Sequence, residues 1–115
     1  MSDIPPIEIR VTREFQRKVR SLTKKYRRIQ SDLKPVLDKL SKGDILGDRI
    51  QGTNAIVYKL RVKNSDIQKG KSGGYRLIYW LQLSDRIVLL DIYSKSEQDN
   101  IAVSTIQKII ENFEN

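Results

Sequence analysis

The chain has 115 residues, enough for one domain with a real core (taken here as 1–115) and too few for two. Its 22 Lys and Arg against 14 Asp and Glu give a formal net charge of +8, which favours a polyanionic partner, either nucleic acid or an acidic protein. Cysteine and histidine are both absent, so disulfides, thiolate metal sites and the usual general acid–base are excluded, and any proton transfer falls to Lys, Arg, Tyr, Asp or Glu. No stretch has the apolar length of a signal peptide or a membrane span, so a soluble cytoplasmic protein is expected, with no cofactor, no metal and no membrane partner.

Residues 1–6 read as a loose arm, because Pro5 and Pro6 block regular structure. Ile7, Ile9 and Val11 then alternate with Glu8 and Arg10, which predicts a short strand with one buried face. Thr12 is suited to cap a helix, with Glu14 in its first turn where the helix dipole favours an acid. Phe15, Val19, Leu22, Tyr26 and Ile29 make one apolar stripe. Arg13, Arg17, Arg20, Lys24, Arg27 and Arg28 lie opposite, as either a phosphate-tracking surface or a solvated face. A second helix is expected from a cap at Ser31 or Asp32, with Pro35 in its first turn, Leu33, Val36, Leu37 and Leu40 buried, and a stop at Lys42-Gly43. Residues 44–54 show no period and read as an ordered connection anchored by Ile45, Leu46 and Ile50.

Three strands follow. In residues 55–63, Tyr58, Leu60 and Val62 face the helices, while Val57, Lys59, Arg61 and Lys63 face away. Three like charges on one strand face repel. They mark either an anion-binding surface or an edge strand kept soluble by lysine. The basic turn that follows holds Lys69-Gly70-Lys71-Ser72, but Ser65 stands where a P-loop needs its first glycine, so triphosphate binding is discarded. Residues 75–82 are the most strand-like run. Tyr75, Leu77, Tyr79 and Leu81 share one face and Arg76, Ile78, Trp80 and Gln82 the other, so the strand should be central and covered on both sides. Arg76 is the exception on its face, since a buried guanidinium needs an anionic partner or an opening toward one. Ser84-Asp85 makes a two-residue hairpin turn into a strand over residues 86–93. Ser96 is then placed to cap the last helix, with Asp99 at its third position and Ile106, Ile109, Ile110 and Phe113 as its apolar stripe.

The order is β-α-α-β-β-β-α. It predicts a small α+β domain: an antiparallel sheet of about four strands, the helix hairpin on one face, a C-terminal helix, and the first strand beside the last or the middle one.

Tyr58-Lys59-Leu60-Arg61, then Ser72-Gly73-Gly74-Tyr75-Arg76-Leu77-Ile78-Tyr79, then Ile92-Tyr93-Ser94-Lys95-Ser96-Glu97, in this order, resemble the RelE/HigB group of bacterial type II toxins in the RelE/ParE superfamily. The resemblance covers most of the chain, and the Gly-Gly-Tyr-Arg core carries most of its specificity. It implies a RelE-like fold and a metal-independent endoribonuclease that cuts mRNA on the ribosome by attack of the 2′-hydroxyl. It also implies an antitoxin partner, expected to be acidic. By position, Lys59 and Arg61 match the paired bases of the second strand, Arg76 matches the arginine that contacts the scissile phosphate, and Lys95 matches a base after the last strand. Ser96 stands where some members carry an arginine, and Ala102 where RelE-like members place a tyrosine, which leaves Tyr93 as the substitute phenol. The candidate catalytic set is therefore Lys59, Arg61, Arg76, Lys95 and Tyr93, with Lys59 as base, and Lys63, Lys69 and Lys71 as RNA contacts. Trp80, Tyr75 and Tyr79 are either core residues or platforms for stacked bases. Two other readings stay open: a ParE-like gyrase inhibitor, and a non-catalytic relative that binds RNA or the ribosome.

Overall fold

The computed structural model describes residues 6–67 and 74–114; Lys69 and Lys71 lie outside the described residues. The chain runs β1 (Glu8–Val11), α1 (Arg13–Lys25), α2 (Ile29–Ser41), β2 (Asp48–Ile50), β3 (Val57–Val62), β4 (Tyr75–Leu83), β5 (Arg86–Ser94) and α3 (Val103–Glu114). One sheet contains all the strands in the order β1-β5-β4-β3-β2. The sheet is mixed, not antiparallel throughout as expected: β1 lies parallel to β5, the last strand, and the remaining neighbours are antiparallel.

The sheet separates two apolar layers. On one face Val62, Tyr75, Leu77, Tyr79, Ile87, Leu89 and Ile92 meet Phe15, Leu22, Ile29, Leu33 and Leu40 of the α1–α2 hairpin. On the other, Val57, Ile78, Trp80, Val88, Leu90 and Tyr93 meet Ile106, Ile109 and Ile110 of α3. The central strand β4 therefore has apolar cover on both sides, as its unbroken hydrophobic run requires.

A β-bulge decides which residues of β5 face the candidate site. Ile78 pairs with Asp91 but Tyr79 pairs with Leu89, so Leu90 is the extra residue. One added residue reverses the side on which every later side chain emerges. Ile87 and Leu89 face the hairpin, whereas Asp91 and Tyr93, at the same parity, face the α3 side. Thr12 secures this point: its hydroxyl donates to the Leu90 carbonyl at 2.7 Å and accepts from the Phe15 N–H at 3.0 Å, so the N-cap of α1 also holds the bulge.

Four local expectations change. The sheet has five strands, because Asp48–Ile50 pairs with β3 inside what reads as an aperiodic loop. α2 begins at Ile29, so Ile29 belongs to it and Pro35 lies inside the helix; Asp32 accepts from the Ser65 N–H and hydroxyl instead of capping. Ile45 is 58% exposed and anchors nothing, whereas the flanking Leu46 exchanges hydrogen bonds with the Tyr79 hydroxyl. Ser96 sits in a turn with its hydroxyl against that of Ser94, and α3 starts only at Val103.

The entry to β2 depends on Gly47, which has φ +90° and lies so close to β3 that a Cβ would collide with the Lys59 carbonyl. Gly47→Ala is expected to cost about 2 kcal/mol, measured as a lower midpoint in urea with an unchanged slope.

Candidate nucleic-acid interface

The antiparallel register assembles a row of side chains across three strands. Arg61 of β3 pairs with Arg76 of β4, which pairs with Tyr93 of β5. The adjacent row on the same face runs Asp48, Lys59, Ile78 and Asp91. Directly opposed residues have Cβ atoms roughly 5 Å apart, so Lys59, Arg61 and Arg76 form one cationic surface at the end of the sheet. The acid Asp48 stands across from Lys59, so the β3 bases are not wholly unopposed. β2 pairs only with residues 57–59, so Arg61 lies on an uncovered part of the β3 edge. Lys63 follows the end of β3 and is exposed.

Arg76 is 8% exposed. Among the described residues its hydrogen bond is Nη1 to the Tyr75 carbonyl at 3.3 Å, and it joins no ion pair. Five donors and a permanent charge are thus held against the sheet without a carboxylate. Gly74 makes room for this arrangement. A Cβ at that position would lie 2.8 Å from the Val62 carbonyl and 3.6 Å from Arg76 Nη1, which explains glycine ahead of Tyr75-Arg76.

Lys95 is tied beside the row. Its N–H donates to the Gly74 carbonyl at 2.9 Å, and its ammonium donates to the Asp99 carbonyl at 2.6 Å and carboxylate at 2.8 Å. That contact holds the Asp99 carboxyl below the usual carboxylate range, with a smaller contribution from Lys59. Asp99, expected at the third position after a cap at Ser96, instead pairs with Lys95 at i, i+4 spacing.

Tyr93 is 3% exposed and packs in the α3-side core. Burial raises its phenol above the ordinary value, Arg76 opposes that shift, and Asp91 and Asp99 add to it. The group is a proton donor at neutral pH, not a base. Tyr75, Tyr79 and Trp80 are core residues: Tyr75 meets Tyr26 edge-on, Tyr79 stacks on Tyr58, and Trp80 meets Phe113 edge-on. They offer no open stacking face. Ala102 precedes α3, its carbonyl accepting from the Ile106 N–H, and its methyl supplies no phenol. Among the described residues no group of three or more acids is placed to hold a metal ion.

The model of a protein family described as the RelE toxin of the RelE / RelB toxin-antitoxin system matches residues 8–112. The chain belongs to the RelE toxin family. No curated protein matched the sequence. Family membership implies an antitoxin partner, and the match spans the whole row from Lys59 to Lys95. Among the described residues no helix is long and apolar enough to cross a membrane.

Burial lifts three of the five phenols, Tyr75, Tyr79 and Tyr93, above the ordinary value of 10.0. The unfolded chain loses those protons first, so stability is full below that value and falls as pH rises through the folded-state values. Ultraviolet titration should show three late phenols followed by alkaline unfolding, and Tyr93→Phe should remove one of the three.

Proposed function

We propose that this RelE-family toxin is a ribosome-dependent endoribonuclease acting on mRNA, with the face carrying Lys59, Arg61 and Arg76 as its reaction surface. The observation that supports this most is the buried, carboxylate-free guanidinium of Arg76 between Arg61 and Tyr93. A charge in that position costs stability unless an anion completes it. A phosphodiester fits, because the guanidinium fork matches two of its oxygens.

The reaction needs no cofactor. The 2′-hydroxyl oxygen attacks the adjacent phosphorus and the bond from phosphorus to the 5′-oxygen breaks, giving a 2′,3′-cyclic phosphate and a 5′-hydroxyl. Lys59 takes the proton from the 2′-hydroxyl. Arg76 and Arg61 balance the charge of the pentavalent phosphorane. Tyr93 or Lys95 returns a proton to the leaving 5′-oxygen. Lys63, Lys69 and Lys71 contact flanking phosphates. An acidic antitoxin would cover the same cationic surface.

Two observations favour a second reading. Lys95 is already satisfied by Asp99, and the position of the usual tyrosine is Ala102, which fits a relative that binds RNA or the ribosome without cutting it.

Purified ribosomes programmed with a defined mRNA separate these readings by primer extension. The proposal expects new ends inside translated codons, and Arg76→Ala should lower cleavage by roughly 100- to 1,000-fold while the variant stays folded by circular dichroism. In cells induced to make the chain, growth arrest without new mRNA ends supports the gyrase-inhibiting alternative. Unchanged cleavage by Arg76→Ala overturns the arginine assignment.

A further inference from the structure

The outer side of α1 is not uniformly polar. Phe15, Val19 and Thr23 recur at i, i+4 and i+8, and Gln16, Arg20 and Lys24 make the neighbouring row. Together with Val11 at the end of β1, these rows line a groove of about 540 Å³, to which α2 adds Gln30. Phe15 is buried and Val11 and Val19 are half-buried, so the floor is apolar. The Thr23 hydroxyl donates to the Val19 carbonyl at 2.6 Å and is spent within the helix. β1 is an edge strand, so no further strand of the sheet lies beyond Val11.

The rim is basic, and its bases differ from their neighbours. Lys18 and Lys25 of the same helix pair with Asp91 and Glu97. Arg20 and Lys24 are exposed, and among the described residues neither joins an ion pair. No carboxylate lines the groove. An apolar floor under an unpaired cationic rim selects among occupants. A second copy of this chain would bring its own net charge of +8 against that rim. A nucleic-acid backbone would satisfy the rim and leave the floor against water. A helix with apolar residues at i, i+3 or i+4 and i+7, flanked by acids, satisfies both.

We infer that this groove docks an acidic amphipathic helix of the antitoxin. Its apolar side chains fill the space over Phe15 and Val19, and its carboxylates meet Arg20 and Lys24. α1 covers the sheet face opposite Ile78 and Tyr93, the face that carries Arg61 and Arg76. The anchor is therefore separate from the cationic surface assigned to RNA, and the antitoxin grips the chain at a place that RNA does not use. The inference rests on family membership, which implies an antitoxin, and on that antitoxin being acidic. It does not require the chain to cut RNA.

The test is an NMR titration of the full chain with two synthetic helices of about four turns that share one leucine stripe, the first flanked by glutamates and the second by lysines. The glutamate helix should shift the signals of Val11, Phe15, Val19 and Thr23 and bind about tenfold more tightly than the lysine helix. Arg20→Glu combined with Lys24→Glu should reverse that preference. Gln16→Trp, at an exposed position, should block both helices while its circular dichroism stays unchanged. The same four signals should shift when the labelled chain is bound to its antitoxin. Equal binding of the two helices overturns the inference, as do shifts confined to the Arg61–Arg76 end, a dimer in sedimentation that moves these signals by itself, or an antitoxin complex that leaves them in place. Ribosome assays separate this inference from the nuclease reading. Gln16→Trp should still cut mRNA while losing the helix, and helix binding by a chain that never cuts removes the nuclease reading alone.

Discussion

A permanent positive charge sits in the most apolar strand of the molecule, and much of the candidate site follows from how that charge is tolerated. β4 buries Tyr75, Leu77, Ile78, Tyr79 and Trp80 beside Arg76. Each such side chain contributes roughly 1.5–3 kcal/mol, so the five together contribute on the order of 10 kcal/mol. Desolvating one guanidinium costs several kcal/mol. The strand therefore holds Arg76 in place even without a carboxylate, and the remaining demand for an anion falls to a ligand. Gly74 lets β4 approach the Val62 carbonyl of β3, and the Gly74 carbonyl fixes the backbone of Lys95 beside Arg76.

The bulge at Leu90 supplies the second requirement. Without it Tyr93 and Asp91 would emerge toward the helix hairpin, and the row from Arg61 through Arg76 would end at β4. The Thr12 hydroxyl holds the Leu90 carbonyl, so the capping of α1 and the orientation of the site residues are one local arrangement. The two faces then divide the work. One face packs the hairpin; the other packs α3 over Ile78 and Trp80 and leaves the Arg61–Arg76 end uncovered by the α3 core.

The alternation in residues 75–82, the Ser84-Asp85 hairpin and the α1 and α3 stripes were legible because each satisfies one strong local rule. The family was legible in Tyr58-Lys59-Leu60-Arg61, Gly73-Gly74-Tyr75-Arg76 and Tyr93-Ser94-Lys95, and the family match bears out that resemblance. Other features depend on partners remote in sequence. β2 has three residues, too few to show a period, and exists because Asp48–Ile50 meets β3. The bulge leaves no mark in a continuously apolar run, since either parity of Ile87 to Leu90 can be buried. Asp32 and Ser96 looked like caps because short polar side chains cap helices, but Ser65 engages Asp32 and Ser94 engages Ser96. The Asp91–Lys18 contact joins residues 18 and 91, a distance no local pattern encodes.

The exposed bases of α1, Arg13, Arg17, Arg20 and Lys24, belong to the helix that covers the opposite sheet face from Arg61 and Arg76. They add to a field that draws a polyanion from a distance, whereas Arg76 is placed for close contact. Arginine-selective NMR during titration with a 2′-O-methyl RNA, which lacks the attacking hydroxyl, separates these roles most directly. A buried phosphate anchor predicts a shift of the Arg76 Nε–H resonance that saturates with RNA and persists as salt weakens the α1 shifts. Saturating shifts confined to the α1 arginines, with Arg76 unmoved, would contradict the account.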